Sequence, residues 1–227
     1  RWFTHASWRA KTPTCMTGIL LPFQTEATAL WVVRGNKMPV DNYNIPSPRP
    51  RTLYLAAQVN QKSMNDLTKS IISINEHDRL LEKLYPAYNV EYTPPPIEIY
   101  IDSYGGAVYQ CFGLLGVMEK SITPIHTIAT GAAMSCGFMI LISGHRRFGY
   151  AHSTPLYHQV STGFWGKVKD MEESLEQTKK LQKKIEDITL ERTNISKKKL
   201  KEILKNKIDW YMTAEEALAL GVIDGIL

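Results

Sequence analysis

"TPIHTIATGAAMSCGFMI", residues 123–140, joins a strand-like half to a helix-like half without a polar loop between them. "TPIHTIAT" (123–130) reads as a strand. The "TGAAMSCGFMI" that follows sets one serine, Ser135, among small and apolar residues, as at the start of a closely packed helix. In α/β folds, ligands and reacting groups gather where strands end and helices begin. Ser135 stands at such a junction, and the pattern alone leaves open whether it packs or reacts.

The same unit recurs on either side. Upstream, "TLYLAAQV" (52–59) reads as a strand, and Met64, Leu67, Ile71 and Ile74 follow at three- and four-residue steps, one face of a helix. "IEIYIDS" (97–103) is a β-branched strand running into Gly105-Gly106. After it, Val108, Phe112, Leu115 and Met118 give a second helix face. Strands alternating with helices predict an α/β fold with parallel strands under right-handed crossovers. The stretch between these units, "NEHDRLLEKLYPAYNVEYTPPP" (75–96), is read as a polar connection.

Downstream, "RRFGYA" and "TPLYHQV" read as short strands, and a charged helix spans 166–191. Its apolar seam, Val168, Met171, Leu175, Leu181, Ile185 and Ile188, suits either a coiled-coil contact or one side resting on the domain. A last helix opens on a capping box, Thr213 with Glu216, and ends at Gly221. Residues 36–52 hold four prolines and read as a linker, so 1–47 is expected to be an N-terminal extension and 48–227 the globular domain.

Composition narrows the function classes. At 227 residues and 44% apolar the chain suits one domain, and "GFMILISG" is too short to span a membrane. Three cysteines, Cys15, Cys111 and Cys136, lack metal-site spacing and point to a reducing compartment without a disulfide framework. The net charge of +5 gathers in "SKKKLKEILKNK", which reads as a solvated helix face and not as a nucleic-acid site. The first 25 residues carry no acid, as in organellar transit peptides and in vector-derived leaders, so a cytoplasmic and an organellar location both fit.

A serine nucleophile needs a general base. Of six histidines, His5 and His77 lie in polar segments expected to be exposed, His126 is mid-strand, and His145 and His152 flank turns. His158 closes "TPLYH" and can project at the same sheet end as Ser135. Gly105-Gly106 can form a tight turn or aim an N–H at a developing negative charge. Pattern alone does not select the carboxylate that would orient the imidazole.

At these residues the chain resembles the proteolytic subunits of the Clp protease, the ClpP family of serine peptidases. "TLYLAAQV", "IDSYGGAV", "TGAAMSCGF", "FGYAHSTPLYHQ" and "WYMTAEEALALGVIDGIL" fall in the family's order with near-family spacings over roughly residues 50–227. The resemblance implies the ClpP/crotonase spiral of β-β-α units, with the 166–191 helix as a protruding handle. It implies Ser135 as nucleophile, His158 as general base, and the Gly106 and Cys136 amides as the oxyanion hole. It further implies no cofactor or metal, stacked heptameric rings of like subunits, and an AAA+ unfoldase of the Clp type that feeds in unfolded polypeptides. Neither nucleic acid nor membrane is an expected partner.

The third triad member departs from the family. Ungapped counting from Thr213 lands the family's aspartate on Lys205, which cannot orient an imidazolium, so Asp209 in "NKIDWYM" is the expected acid, with Glu202 a weaker substitute. The link at 79–96 is longer than the family's, at the rim where an unfoldase would dock. Two other readings compete: a catalytically impaired ClpP-like subunit of a mixed ring, and a crotonase-like acyl-CoA enzyme.

Overall fold

Ile97, Ile99 and Ile101 alternate with more exposed residues and are fully buried, so the strand they form has one face in the core. In the computed structural model, which describes residues 50–227, this is β2 (Ile97–Ser103). It lies between β1 (Thr52–Leu55) and β3 (Ile125–Met134), and β4 (Arg146–Gly149) and β7 (Gly225–Ile226) continue the sheet beyond β3, all pairs parallel. The parallel α/β architecture expected from the alternation is present. The 1–47 extension, Cys15 and His5 lie outside the described residues.

β3 forks the sheet. Its first half pairs with β4, from His126 opposite Arg146 to Ala129 opposite Gly149. Its second half, Ala132–Met134, pairs instead with β5 (Thr154–Tyr157), which carries the antiparallel β6 (Trp210–Tyr211). The small-residue run read as a helix start is therefore strand up to Met134, and the helix begins only at Cys136. Small side chains permit this, because a Cβ on Gly131 would stand 2.6 Å from an oxygen of Asp102 on the neighbouring strand.

The helices are α1 (Gln61–Leu84), α2 (Val108–Glu119), α3 (Cys136–Ile142), α4 (Val168–Arg192), α5 (Lys197–Asn206) and α6 (Ala214–Ala219). α1 corrects the sequence reading: the stretch from Asn75 continues the helix to Leu84 and does not leave it. His77, Asp78 and Leu81 are buried there, so His77 is not in an exposed segment as expected. Polar side chains hid that face from an apolar-periodicity reading. Asn75 accepts from the Ile122 and Thr123 amides at 2.7 and 3.2 Å and donates to the Ile71 carbonyl at 2.7 Å.

α3 is buried along its whole length. α4 divides in two, so both expected roles of its seam have a place. Ile185 and Thr189 are buried against the body, while Val168 is 69% exposed and Met171 and Leu175 also face solvent. α5 buries only Leu200 and Ile203 and turns its lysines to water. The Thr213–Glu216 capping box forms at 2.9 and 3.2 Å. Among the described residues no helix is long and apolar enough to cross a membrane.

Candidate active site

Ser135 is the one residue between β3 and α3, and its backbone sits at φ +54°, ψ −117°, a conformation L-residues rarely adopt. Two main-chain hydrogen bonds hold it there. Its N–H donates to the Leu156 carbonyl of β5 at 3.0 Å, and its carbonyl accepts the Met139 N–H at 3.1 Å. A bend between two fixed elements turns the serine side chain off the sheet edge. Sequence reasoning found the residue and missed the strain, because Leu156 is distant in sequence and offers only a backbone atom.

The end of β2 lies against this bend. Gly105 has φ +93°, and a Cβ there would come within 2.7 Å of both the Ser135 Cβ and the Met134 carbonyl oxygen. Gly106 has φ +146°. The chain on either side of it is pinned, since Val59 N–H donates to Gly105 O and Ala107 N–H donates to Val59 O, each at 2.8 Å. The positive φ values and the close packing against Ser135 are what a glycine pair allows here. The Cys136 amide is the first of α3, with no carbonyl one turn back to accept it. Gly105→Ala is expected to lower any Ser135-dependent hydrolysis at least about a hundredfold, since displacing one oxyanion donor costs that much. Steady-state kinetics on the folded variant check this, with circular dichroism confirming the fold.

His158 follows β5 directly, and the β5–β6 register explains what it faces. Tyr157 is opposite Trp210 in an antiparallel pair, so one residue further on His158 meets Asp209. The His158 Nδ1 to Asp209 Oδ1 distance is 3.6 Å, just beyond hydrogen-bond length. Asp209 is 63% exposed at its side chain and His158 28%. Lys205 stays in the last turn of α5, and Lys207 at φ +53° then ends that helix, so the chain reverses before Asp209. Glu202 is 3.6 Å from the Lys199 amine on the same helix. Two other histidines have duties elsewhere: His145 Nδ1 accepts the Ile125 N–H at 3.0 Å, and His126 meets the Phe148 ring edge-on.

Ser135, Cys136, Gly105, Gly106 and His158 line one cleft of about 710 Å³. Val108, Met139, Val160 and Ile185 give it apolar wall, and Tyr157 closes the floor, its phenol pushed up to about 12 by burial and so neutral. Such a cleft can hold an extended chain's apolar side chain beside a serine, a histidine and two backbone donors. Among the described residues no cluster of His, Cys, Asp and Glu is arranged to hold a metal ion.

Comparison with known proteins agrees with this architecture. The Clp protease family model matches residues 48–227. A Deinococcus radiodurans protein named ATP-dependent Clp protease proteolytic subunit is 33% identical over 133 residues, 58% of this chain and 64% of its own length, just under two thirds. The ATP-dependent Clp protease proteolytic subunit 2 of Bacillus licheniformis is 31% identical over 181 residues, 79% of this chain and 87% of that protein. A Bacteroides fragilis proteolytic subunit is 28% identical over 179 residues, covering 78% and 79%. A strained serine at a strand–helix bend, a glycine-rich strand end against it, and a family model matched from residue 48 to 227 lead to one assignment: the chain belongs to the Clp protease family.

Proposed function

We propose that this chain is a serine endopeptidase subunit of a Clp-type, unfoldase-coupled protease. The observation that carries the reading is the gathering of Ser135, His158, Gly106 and Cys136 in one cleft, with Asp209 3.6 Å from the far nitrogen of His158. With Nδ1 turned to Asp209, Nε2 is the nitrogen left for the serine. Ser135 Oγ attacks a peptide carbonyl while His158 takes its proton, and the Gly106 and Cys136 amides receive the oxyanion. His158 then protonates the leaving amine, and water repeats the sequence to release the acyl group. The chain's own side chains and amides supply each step, so no metal or organic cofactor enters the scheme.

Assembly completes the proposal. The exposed Val168, Met171 and Leu175 form a helix face that finds no cover among the described residues, as a handle packing between stacked heptameric rings requires. A chamber of that kind accepts only unfolded polypeptides, so an AAA+ unfoldase is the expected partner. A reducing compartment, cytoplasm or organelle matrix, fits the free thiols of Cys111 and Cys136. A fluorophosphonate probe tests the chemistry. Peptide mapping of the assembled protein should place the adduct on Ser135, and an assembled, folded protein that leaves Ser135 unlabelled sinks the reading.

A further inference from the structure

Two of the three cysteines meet beside Ser135. Cys111 stands on α2 at 1% exposure and Cys136 opens α3 at 2%, both as free thiols. The Cys111 thiol donates to the Cys136 carbonyl oxygen at 3.6 Å, which sets its sulfur against the first residue of α3. The Cys136 thiol in turn donates to the Gly106 carbonyl oxygen at 3.3 Å. One sulfur therefore touches a residue of the proposed oxyanion hole and belongs to the residue next to the nucleophile.

Buried thiols in apolar packing are usually inert. This pair differs in two ways. Cys136 borders the open cleft, which gives a small peroxide a route to it. The two thiols are also unequal: their interaction holds Cys136 below the ordinary thiol range, while the same interaction and burial push Cys111 well above it. The thiolate-prone sulfur is the one facing the cleft, and a second thiol waits behind it.

We propose that Cys111 and Cys136 are a peroxide-oxidisable pair whose disulfide switches the Ser135 site off. The bond itself is independent of the peptidase reading; its consequence for activity rests on that reading. The oxidant is hydrogen peroxide or an alkyl hydroperoxide. The Cys136 thiolate attacks one peroxide oxygen, an S–O bond forms, the O–O bond breaks, and the leaving hydroxide or alkoxide takes up a proton. The Cys111 sulfur then attacks Cys136, an S–S bond forms, the S–O bond breaks, and water departs with the Cys111 proton. With hydrogen peroxide, two thiols and one peroxide give one disulfide and two waters. A disulfide of about 2.05 Å is far shorter than any non-bonded approach of two sulfurs. The first residue of α3 must therefore move toward α2, carrying the Cys136 amide out of place and releasing the Gly106 carbonyl.

The experiment uses the full-length assembled protein, reduced or treated with hydrogen peroxide. Non-reducing peptide mapping by mass spectrometry should join the Cys111 and Cys136 peptides with loss of two hydrogens. Fluorophosphonate labelling of Ser135 should fall about tenfold or more, since an oxyanion donor is displaced, and recover with dithiothreitol. In Cys111→Ala no resolving thiol remains, so dimedone should capture Cys136 as the sulfenic acid. Oxidation that leaves both thiols free, pairs either with Cys15, or carries Cys136 to the sulfinic acid uncrosslinked overturns the proposal, as does a crosslink that leaves labelling unchanged. A reduced protein that never labels at Ser135 sinks the peptidase reading instead, and the crosslink map then decides the pair alone. The wild-type map also decides it if Cys111→Ala does not fold.

Discussion

Peptide hydrolysis by the assembled protein is expected to fall about a millionfold in Ser135→Ala, and no further in the double variant with His158→Ala. A nucleophile and its base act as a unit, so removing either removes nearly all that both provide. The informative contrast lies at the third position. Asp209→Asn should lower kcat between about a hundredfold and about ten-thousandfold while KM stays near its starting value. The loss is smaller than for the serine because the Asp209 carboxylate is exposed and stands 3.6 Å from the imidazole, where water already supports part of the charge. Lys205→Ala should leave kcat within about twofold, as for a surface change away from the chemistry. Steady-state kinetics on one peptide substrate, with the oligomer checked by light scattering, read all four. Equal kcat for wild type and Asp209→Asn would remove Asp209 from the mechanism.

This contrast follows from strand register, which residue counting could not supply. An ungapped count back from Thr213 reaches Lys205, but the chain between α5 and β6 is not a fixed ruler. The left-handed turn at Lys207 ends α5, and the β5–β6 pairing sets the position of everything next to it. Once Tyr157 is opposite Trp210, the residue facing His158 is Asp209 whatever the length of the loop before it. Antiparallel pairing thus couples one half of the site to the other through main-chain hydrogen bonds, and those leave no trace in side-chain identity.

Legibility elsewhere followed the same division. The parallel sheet was readable because Ile97, Ile99 and Ile101, and Met64, Leu67, Ile71 and Ile74, bury apolar side chains with the periods of strand and helix. α1 beyond Ile74 was not readable, because its buried face turns polar at Asn75 and Asp78 and is satisfied by partners more than forty residues away. β3 was cut short at Thr130 for the opposite reason. Gly131 and the two alanines after it look like a close-packed helix start, whereas here they let Asp102 approach and accept the Ala132 N–H at 2.9 Å. The candidates Ser135, His158 and Gly106 could be named from sequence through the family resemblance; the bend that orients Ser135 and the cysteine pair behind it needed coordinates.

Asp78→Asn should destabilise the fold by about 3 kcal/mol at neutral pH, the low end for breaking a buried ion pair, while the Ser135 cleft stays intact. Asp78 is 1% exposed on the hidden part of α1 and accepts from Arg51, from Thr123, and from the Tyr92 hydroxyl at 2.6 Å. Arg51 precedes β1, Thr123 precedes β3, and Tyr92 lies in the connection between α1 and β2. One carboxylate therefore ties three chain segments to a helix. The cost stays at the low end because Arg51 keeps bonds to the Pro95 carbonyl at 2.9 Å and the Tyr92 hydroxyl at 3.1 Å. Burial pushes the Asp78 carboxyl up, but its bonds from Arg51, Thr123 and Tyr92 together outweigh that and hold it below the ordinary carboxylate range. A depressed folded value means the stabilisation is complete above the unfolded value of about 3.9 and is lost as pH falls through the lower folded one. Urea unfolding at fixed protein concentration should show the full gap between wild type and variant at pH 7. That gap should hold to about pH 4 and close only at lower pH. None of these partners lines the cleft, so a variant that loses peptide hydrolysis at a temperature where it is still folded would show that the segment they tie reaches the active site.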